Sequence, residues 1–258
     1  MKSIRLVSIL TAVSLLFALC SCLDRAREED YDKIYTADPY AYVSTHKGKD
    51  KNEYQSSLFN GEKYTIGIHV PVTGAEEVDY FLSSLAETAE KDFKNAMSPL
   101  SRGEDGSKGV LYGDYILNRT SKYVSVLMTF QTRLPDKDPV TEYYSVFYTL
   151  ADQKLMTLGD IFDSSYLSPL ADLIISALKE DKNLSLHMGE DFYSRLSLTD
   201  ASAISFFMTD DALTLYFNGD TILTDYSSPL TLSFGKELIN PLLPSGMYEK
   251  IYEDGALG

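Results

Sequence analysis

Few residues in this chain have the chemistry for a reactive site. Its three histidines are His46, His69 and His187, too few for a multi-histidine metal centre. His187 has Glu190 and Asp191 close by in His-Met-Gly-Glu-Asp. That trio can seed a carboxylate–imidazole site, although a loop of solvated charges is the plainer reading. His69 falls in a predicted strand, opposite the apolar face, as a surface or hydrogen-bonded residue rather than a ligand. Asp210-Asp211 and Asp220 flank one predicted hairpin. Calcium is conceivable there, but the Asp-x-Asp-x-Asp-Gly ladder of a dedicated loop is missing, and turn chemistry accounts for them. The chain has no Gly-x-Ser-x-Gly elbow, no phosphate loop and no His-Glu-x-x-His. A glycosidase needs two positioned carboxylates, and 38 acidic residues single out no pair. No catalytic residue, metal ligand or cofactor is assigned.

Binding is a better prospect. The run Tyr143-Tyr-Ser-Val-Phe-Tyr148 lies in a predicted strand. Tyr143, Ser145 and Phe147 share one face, and Tyr144, Val146 and Tyr148 the other. One face is expected in the core. The other can present tyrosines to a glycan or protein, so Tyr143, Tyr144 and Tyr148 are the candidate ligand-binding residues, with cross-strand packing as the bland alternative.

The two cysteines, Cys20 and Cys22, both lie at the N-terminal end. Lys2 and Arg5 precede an unbroken, mostly apolar run of 14 residues from Leu6 to Leu19. That run is short of the roughly 20 residues a membrane span needs, and has the form of a signal peptide. Leu19-Cys20-Ser21-Cys22 resembles the lipobox of bacterial lipoproteins. The resemblance implies cleavage after residue 21 and lipidation of Cys22, with fatty-acyl chains anchoring the protein on the extracytoplasmic side of a membrane. No cysteine then remains for a disulfide or a nucleophile.

The formal net charge is −15. An acidic chain of this kind excludes nucleic acid and peripheral adhesion to anionic lipid, and suits solubility or a cationic partner. Tyrosine is abundant at 19 residues and tryptophan absent, a balance that fits half-buried strands.

The elements follow from periodicity. Residues 22–58 read as a flexible tether with no sustained apolar pattern. Order begins near Glu62, where Tyr64, Ile66, Ile68 and Val70 alternate with Thr65, Gly67 and His69 as in a half-buried strand. Thr73-Gly-Ala-Glu76 has the form of a capping box. Val78, Phe81, Leu82, Leu85, Ala89, Phe93 and Met97 then predict an amphipathic helix over 75–97. Strands follow at Val110–Asn118, Lys122–Arg133 and Val140–Leu150. Thr157–Phe162 leads into a second helix with Leu167, Leu170, Ile174, Ala177 and Leu178 on its face. Residues 181–200 are polar and poorly patterned. Short strands at Ala203–Thr209, Leu213–Phe217 and Leu230–Phe234 precede a last helix near Lys236–Leu242. The order β-α-β-β-β-α-β-β-β-α predicts an α+β fold, antiparallel sheets packed against two main helices. The domain reading is a signal peptide over 1–21, tether over 22–58, strand–helix–strand subdomain over 59–120, α+β subdomain over 121–245 and tail over 246–258.

Several of these segments together resemble a family. Lys122–Phe130, Glu142–Leu150 and Asp152-Gln-Lys-Leu-Met-Thr-Leu-Gly-Asp-Ile-Phe162 are similar to the strand, strand, turn and Leu-x-Asp-Leu-Phe core of the RsiV-like extracellular domain. Phe207–Phe217 and Tyr226–Phe234 resemble its closing strands. Tyr64–Met97 is similar to the small domain that precedes it in RsiV and in the deacetylase PdaC. The resemblance covers roughly 60–243. Where the family carries a Gly-Gly-Ala-His hairpin, this chain has Leu134-Pro-Asp-Lys-Asp-Pro139, so the resemblance does not carry a ligand contact over to that loop, and whether it binds stays open. Neither an anti-sigma segment nor a deacetylase domain is expected. The resemblance implies a non-catalytic, lipid-anchored envelope domain that binds a cell-wall glycan or a wall-acting protein, of the peptidoglycan or lysozyme class. A wall-glycan hydrolase or deacetylase with an unrecognised site is the alternative, and a structural subunit of an envelope assembly a third.

Overall fold

A computed structural model describes residues 54–162, 167–196, 204–217, 219–226 and 228–252. The signal peptide, Cys20, Cys22, His46 and the tether up to residue 53 lie outside them. Six strands form one sheet in the order β1 to β6: Tyr54–Asn60, Tyr64–Pro71, Gly109–Arg119, Tyr123–Arg133, Val140–Thr149 and Lys154–Met156. Three more, β7 (Ser205–Met208), β8 (Ala212–Phe217) and β9 (Leu230–Gly235), form a second sheet. The fold is α+β with strands largely antiparallel, as expected. The pair β2–β3 is parallel, because helix α1 (Glu76–Met97) carries the chain back between them.

The strand alternation read from sequence decides what α1 covers. Ile66, Ile68 and Val70 of β2 meet Val78, Leu82, Phe93 and Met97 of α1 in one core, with Val124, Val126, Met128 and Phe130 of β4. Gly113 on β3 lets this layer close. A Cβ there would stand 2.8 Å from the Phe130 ring and 3.0 Å from Ile68. On the opposite face, Tyr123 and Phe147 join a second core with β7–β9 and helix α2 (Leu167–Glu180). Leu170, Ile174 and Leu178 recur every four residues along α2 and are fully buried there. Burying each contributes about 1.5–3 kcal/mol.

The Leu-x-Asp-Leu-Phe-like motif has a clear local role. Thr157 caps the single helical turn Leu158–Ile161 through its Oγ1, which accepts from Asp160 N at 3.2 Å, while Asp160 Oδ2 accepts from Thr157 N at 2.8 Å. The turn presents Leu158, Ile161 and Phe162 to the second core.

Three expectations change. The tether extends too far, since residues 54–58 belong to edge strand β1. The side chains of residues 55–58 are exposed, so no apolar periodicity marks the strand. The tail expected over 246–258 contains helix α3 (Met247–Ile251), whose Ile251 and the following Tyr252 are buried in the second core. Lys122 Nζ donates to Glu249 O at 3.2 Å and Lys250 pairs with Asp152 at 2.6 Å, fixing α3 to the first sheet. The capping box at Thr73–Glu76 does not form. Ala75 is the N-cap, with no side-chain cap bond, and Asp79 takes over the loop's N–H groups. Among the described residues, no helix is long and apolar enough to cross a membrane.

Candidate functional site

The start of α1 is built around Asp79. Its Oδ1 accepts from Thr73 N and Thr73 Oγ1, both at 2.7 Å, and its Oδ2 accepts from Gly74 N at 3.1 Å. Thr73 Oγ1 in turn accepts from Ala75 N at 3.2 Å. Arg119 of β3 donates to Thr73 O. Gly74 has φ of 76°, and a Cβ there would stand 3.1 Å from the Arg119 guanidinium. The position needs glycine for its backbone and for the space.

This fixed loop forms one wall of an open depression of about 1050 Å³. Glu76, Glu77, Tyr80 and Ser83 of α1 line it from one side, and Tyr148, Leu150 and Gln153 of the β5–β6 hairpin from the other. Gln153, at φ of 50°, sits in the turn of that hairpin. Among the described residues no basic side chain is part of its lining. Tyr80 is 76% exposed, a large aromatic held out to solvent. The lining offers carboxylates, phenols, an amide and a hydroxyl, which suits a cationic group or a polyhydroxylated ring. Glu76 and Glu77 are sequence neighbours on a helix, so their side chains diverge, and Asp79, also in the lining, is bonded to the Thr73–Gly74 loop.

The three candidate tyrosines do not form one surface. Tyr148 lines this depression but is only 8% exposed, its ring part of the α1 core. Tyr144 lies on the same face, edge-on to Phe130 with centroids 5.8 Å apart, and is partly exposed. Partial burial, then the Glu142 and Asp92 carboxylates, pushes its hydroxyl pKa up. Tyr143 is on the opposite face, where its ring meets Tyr216 of β8 at 5.2 Å and its carbonyl accepts from Ser205 Oγ at 2.7 Å. The face of β5 that carries Tyr143 is packed on the second sheet, whereas the Tyr144 face is exposed over Val140, Glu142 and Tyr144 and closes into the core at Val146 and Tyr148.

His69 also differs from a surface residue. It is 1% exposed, edge-on to Tyr112 with ring centroids 6.2 Å apart. Tyr112 and Asp114 of β3, on the same face, are 3% and 0% exposed. Asp114 Oδ1 accepts from Tyr115 N at 2.9 Å. The second face of this sheet is therefore buried at its polar end as well, which alternation alone reads as solvent.

His187 Nδ1 is bonded to Thr224 O at 3.0 Å, with the ring against Tyr226. Asp191 pairs with Arg195 at 2.5 Å, and that bond lowers its pKa. These contacts fasten a loop rather than converge on a pocket. Asp210 and Asp211 occupy the β7–β8 turn, closed by Thr209 N to Ala212 O at 2.9 Å. Asp220 falls in the helical turn Gly219–Ile222, its side chain outside the described set. Among the described residues no group of three His, Cys, Asp or Glu is placed to hold a metal. Leu134–Pro139 forms the β4–β5 connection, where Asp136 has φ of 58°.

No family model matches the chain, and no curated protein matches it. Solved structures do. The chain is similar to a DUF3298 family protein from Pseudomonas aeruginosa PAO1, at 12% identity and TM-score 0.52 over 75% of this chain and 93% of that one. It is also similar to a DUF3298 family member from Bacteroides fragilis NCTC 9343, at 15% identity and TM-score 0.51 over 78% of this chain and 99% of that one. DUF3298 proteins are related to RsiV-like domains. At these identities the likeness is one of fold, an α+β unit with helices on its sheets.

Proposed function

We propose that this protein is a lipid-anchored envelope protein of RsiV-like type whose α+β domain binds a cationic wall-acting protein of the lysozyme class or the peptidoglycan itself. Lipidation at Cys22 would hold the domain on the extracytoplasmic side of the membrane, and the residues between Cys22 and β1 would carry it away from the surface. The observation that carries the binding reading is the depression between α1 and the β5–β6 hairpin. It is lined by Glu76 and Glu77 with the exposed Tyr80, and among the described residues the cation beside it, Arg119 behind Gly74, is held by Thr73 O. Opposite charge steers a basic protein to such a surface, and an exposed tyrosine supplies contact area at little entropic cost. The net charge of −15 acts in the same direction. The test is retention of protein purified in detergent by immobilised lysozyme and by purified peptidoglycan, at low and at high salt. Lysozyme retention that fades with salt supports the cationic-partner reading. Salt-insensitive retention by peptidoglycan supports the glycan. Retention by neither overturns both.

A further inference from the structure

A second surface lies on the other flank of α1. Strand β1 is the outer edge of the six-stranded sheet, and among the described residues nothing pairs with its far side. The hydrogen-bonding phase of that edge can be worked out. Gly61 N donates to Tyr64 O at 2.9 Å, which makes Gly61–Tyr64 a bonded pair. Antiparallel pairs alternate, so Phe59, Ser57 and Gln55 bond inward to Ile66, Ile68 and Val70. Tyr54, Ser56, Leu58 and Asn60 therefore aim their N–H and C=O groups outward. The register agrees, because Tyr54 stands opposite Pro71, which has no N–H to offer.

Natural edges are blunted by lysines, prolines, bulges or inward charges. Tyr-Gln-Ser-Ser-Leu-Phe-Asn has no charge, no proline and no bulge. Gln55 to Asn60 are all exposed, Leu58 at 56% and Phe59 at 45%. The two sides of the strand differ. On the α1 side, a recess of about 150 Å³ opens between Gln55, Ser57, Ile68, Val70 and Glu87. Glu90, on its rim, is already engaged by Lys94 at 2.5 Å and by Ser57 at 2.9 Å. Glu87 has no cationic partner among the described residues. On the reverse side, Leu58 offers an uncovered apolar side chain.

We propose that the outer edge of β1 receives an extended polypeptide segment of a partner as a seventh strand, with basic side chains toward Glu87 and apolar side chains toward Leu58. Main-chain bonds to Ser56 and Leu58 supply the affinity, and alternation of the guest's side chains supplies the selectivity. A lysine stem fits the apolar floor of the recess while its ammonium reaches Glu87. A second copy of this chain fits less well, since its own edge is uncharged and each copy carries a net charge of −15. The proposal is independent of the depression at the start of α1.

The probe is a fluorescein-labelled peptide alternating lysine and valine, read by anisotropy against the full chain in detergent. Saturable binding is expected, with none for a glutamate–valine counterpart. Ser56→Pro and Leu58→Pro each delete an outward N–H where an edge tolerates proline, and each should weaken binding about tenfold. Glu87→Gln should weaken it several-fold and flatten its salt dependence. N-methylation of the peptide's alternate amides tests the same ladder without altering the protein, and should abolish binding. Absence of saturable binding, or binding indifferent to N-methylation, overturns the proposal. So does concentration-dependent dimerisation in sedimentation that Ser56→Pro abolishes, since that places a second copy on the edge.

Discussion

The hydroxyl of Tyr123 on β4 donates to Asp210 of the β7–β8 turn at 3.1 Å, tying the first sheet to the second. Asn118 Nδ2 donates to the same phenol oxygen at 2.9 Å and to Met208 O at 3.3 Å. Met208 N donates to Ser125 Oγ at 3.0 Å. The ring itself packs on Phe147 with centroids 5.0 Å apart. Two sheets whose strands do not pair are thus held in one register by a small polar network beside an apolar core.

Burial, reinforced by the Asp210 carboxylate, pushes the Tyr123 pKa well above the ordinary tyrosine value. Burial, then Tyr248 and the Asp210 and Asp211 carboxylates, pushes Tyr252 up to about 12. In the unfolded chain both titrate near 10. A raised folded pKa means the unfolded state loses its proton first, so stability is intact below pH about 10 and falls as pH rises from there. Thermal melts from pH 8 upward should show a fall that begins near 10. Tyr123→Phe should lower stability at pH 7 by about 1 kcal/mol, a midpoint shift of a few degrees, and reduce the slope of the alkaline limb. An unchanged slope would mean that Tyr123 ionises freely in the folded protein.

Asp79→Ala removes the acceptor for Thr73 N, Thr73 Oγ1 and Gly74 N together. The expected loss is about 1–3 kcal/mol, since the Thr73 side chain is fully buried and its groups lose a charged partner. The Gly74 turn should loosen with it. Amide exchange at Gly74 and Ala75 checks this, and should rise while exchange in β4 stays slow.

Cys22→Ala should move the protein from the membrane fraction to the soluble one and abolish fatty-acid labelling. Fractionation and metabolic labelling check this together. A variant that stays membrane-bound, with wild type that takes up no fatty acid, contradicts lipid anchoring.

Much of the fold was legible because one face of each central element is buried and the other is less so. Ile66, Ile68 and Val70 mark the face of β2 that meets α1, and Leu170, Ile174 and Leu178 mark the face of α2. β1 was not legible, because an edge strand with both faces exposed has no reason to alternate. For His69 the surface half of the reading fails, for the converse reason. Both faces of its sheet are covered there, so a buried polar residue occupies a position that alternation reads as water. The capping role passed from Thr73 and Glu76 to Asp79, one turn further along, a choice that depends on how Arg119 of β3 holds the loop. The depression joins Glu76 and Glu77 to Tyr148 and Gln153 only through the sheet's strand order. Of the candidate tyrosines, sequence could place Tyr144 and Tyr148 on one face, but not show that the core takes most of Tyr148.

The most direct measurement of the central claim is calorimetric titration of the purified protein with lysozyme at low salt, beside a Glu76→Gln, Glu77→Gln, Tyr80→Ala triple variant. All three side chains are exposed, so the variant should fold as wild type does. The account predicts saturable binding to wild type that weakens with salt, and at least a tenfold loss in the variant, as expected when charged and aromatic contacts are removed together. Equal affinity for the two proteins, or no binding by wild type to lysozyme or to peptidoglycan fragments, would contradict it.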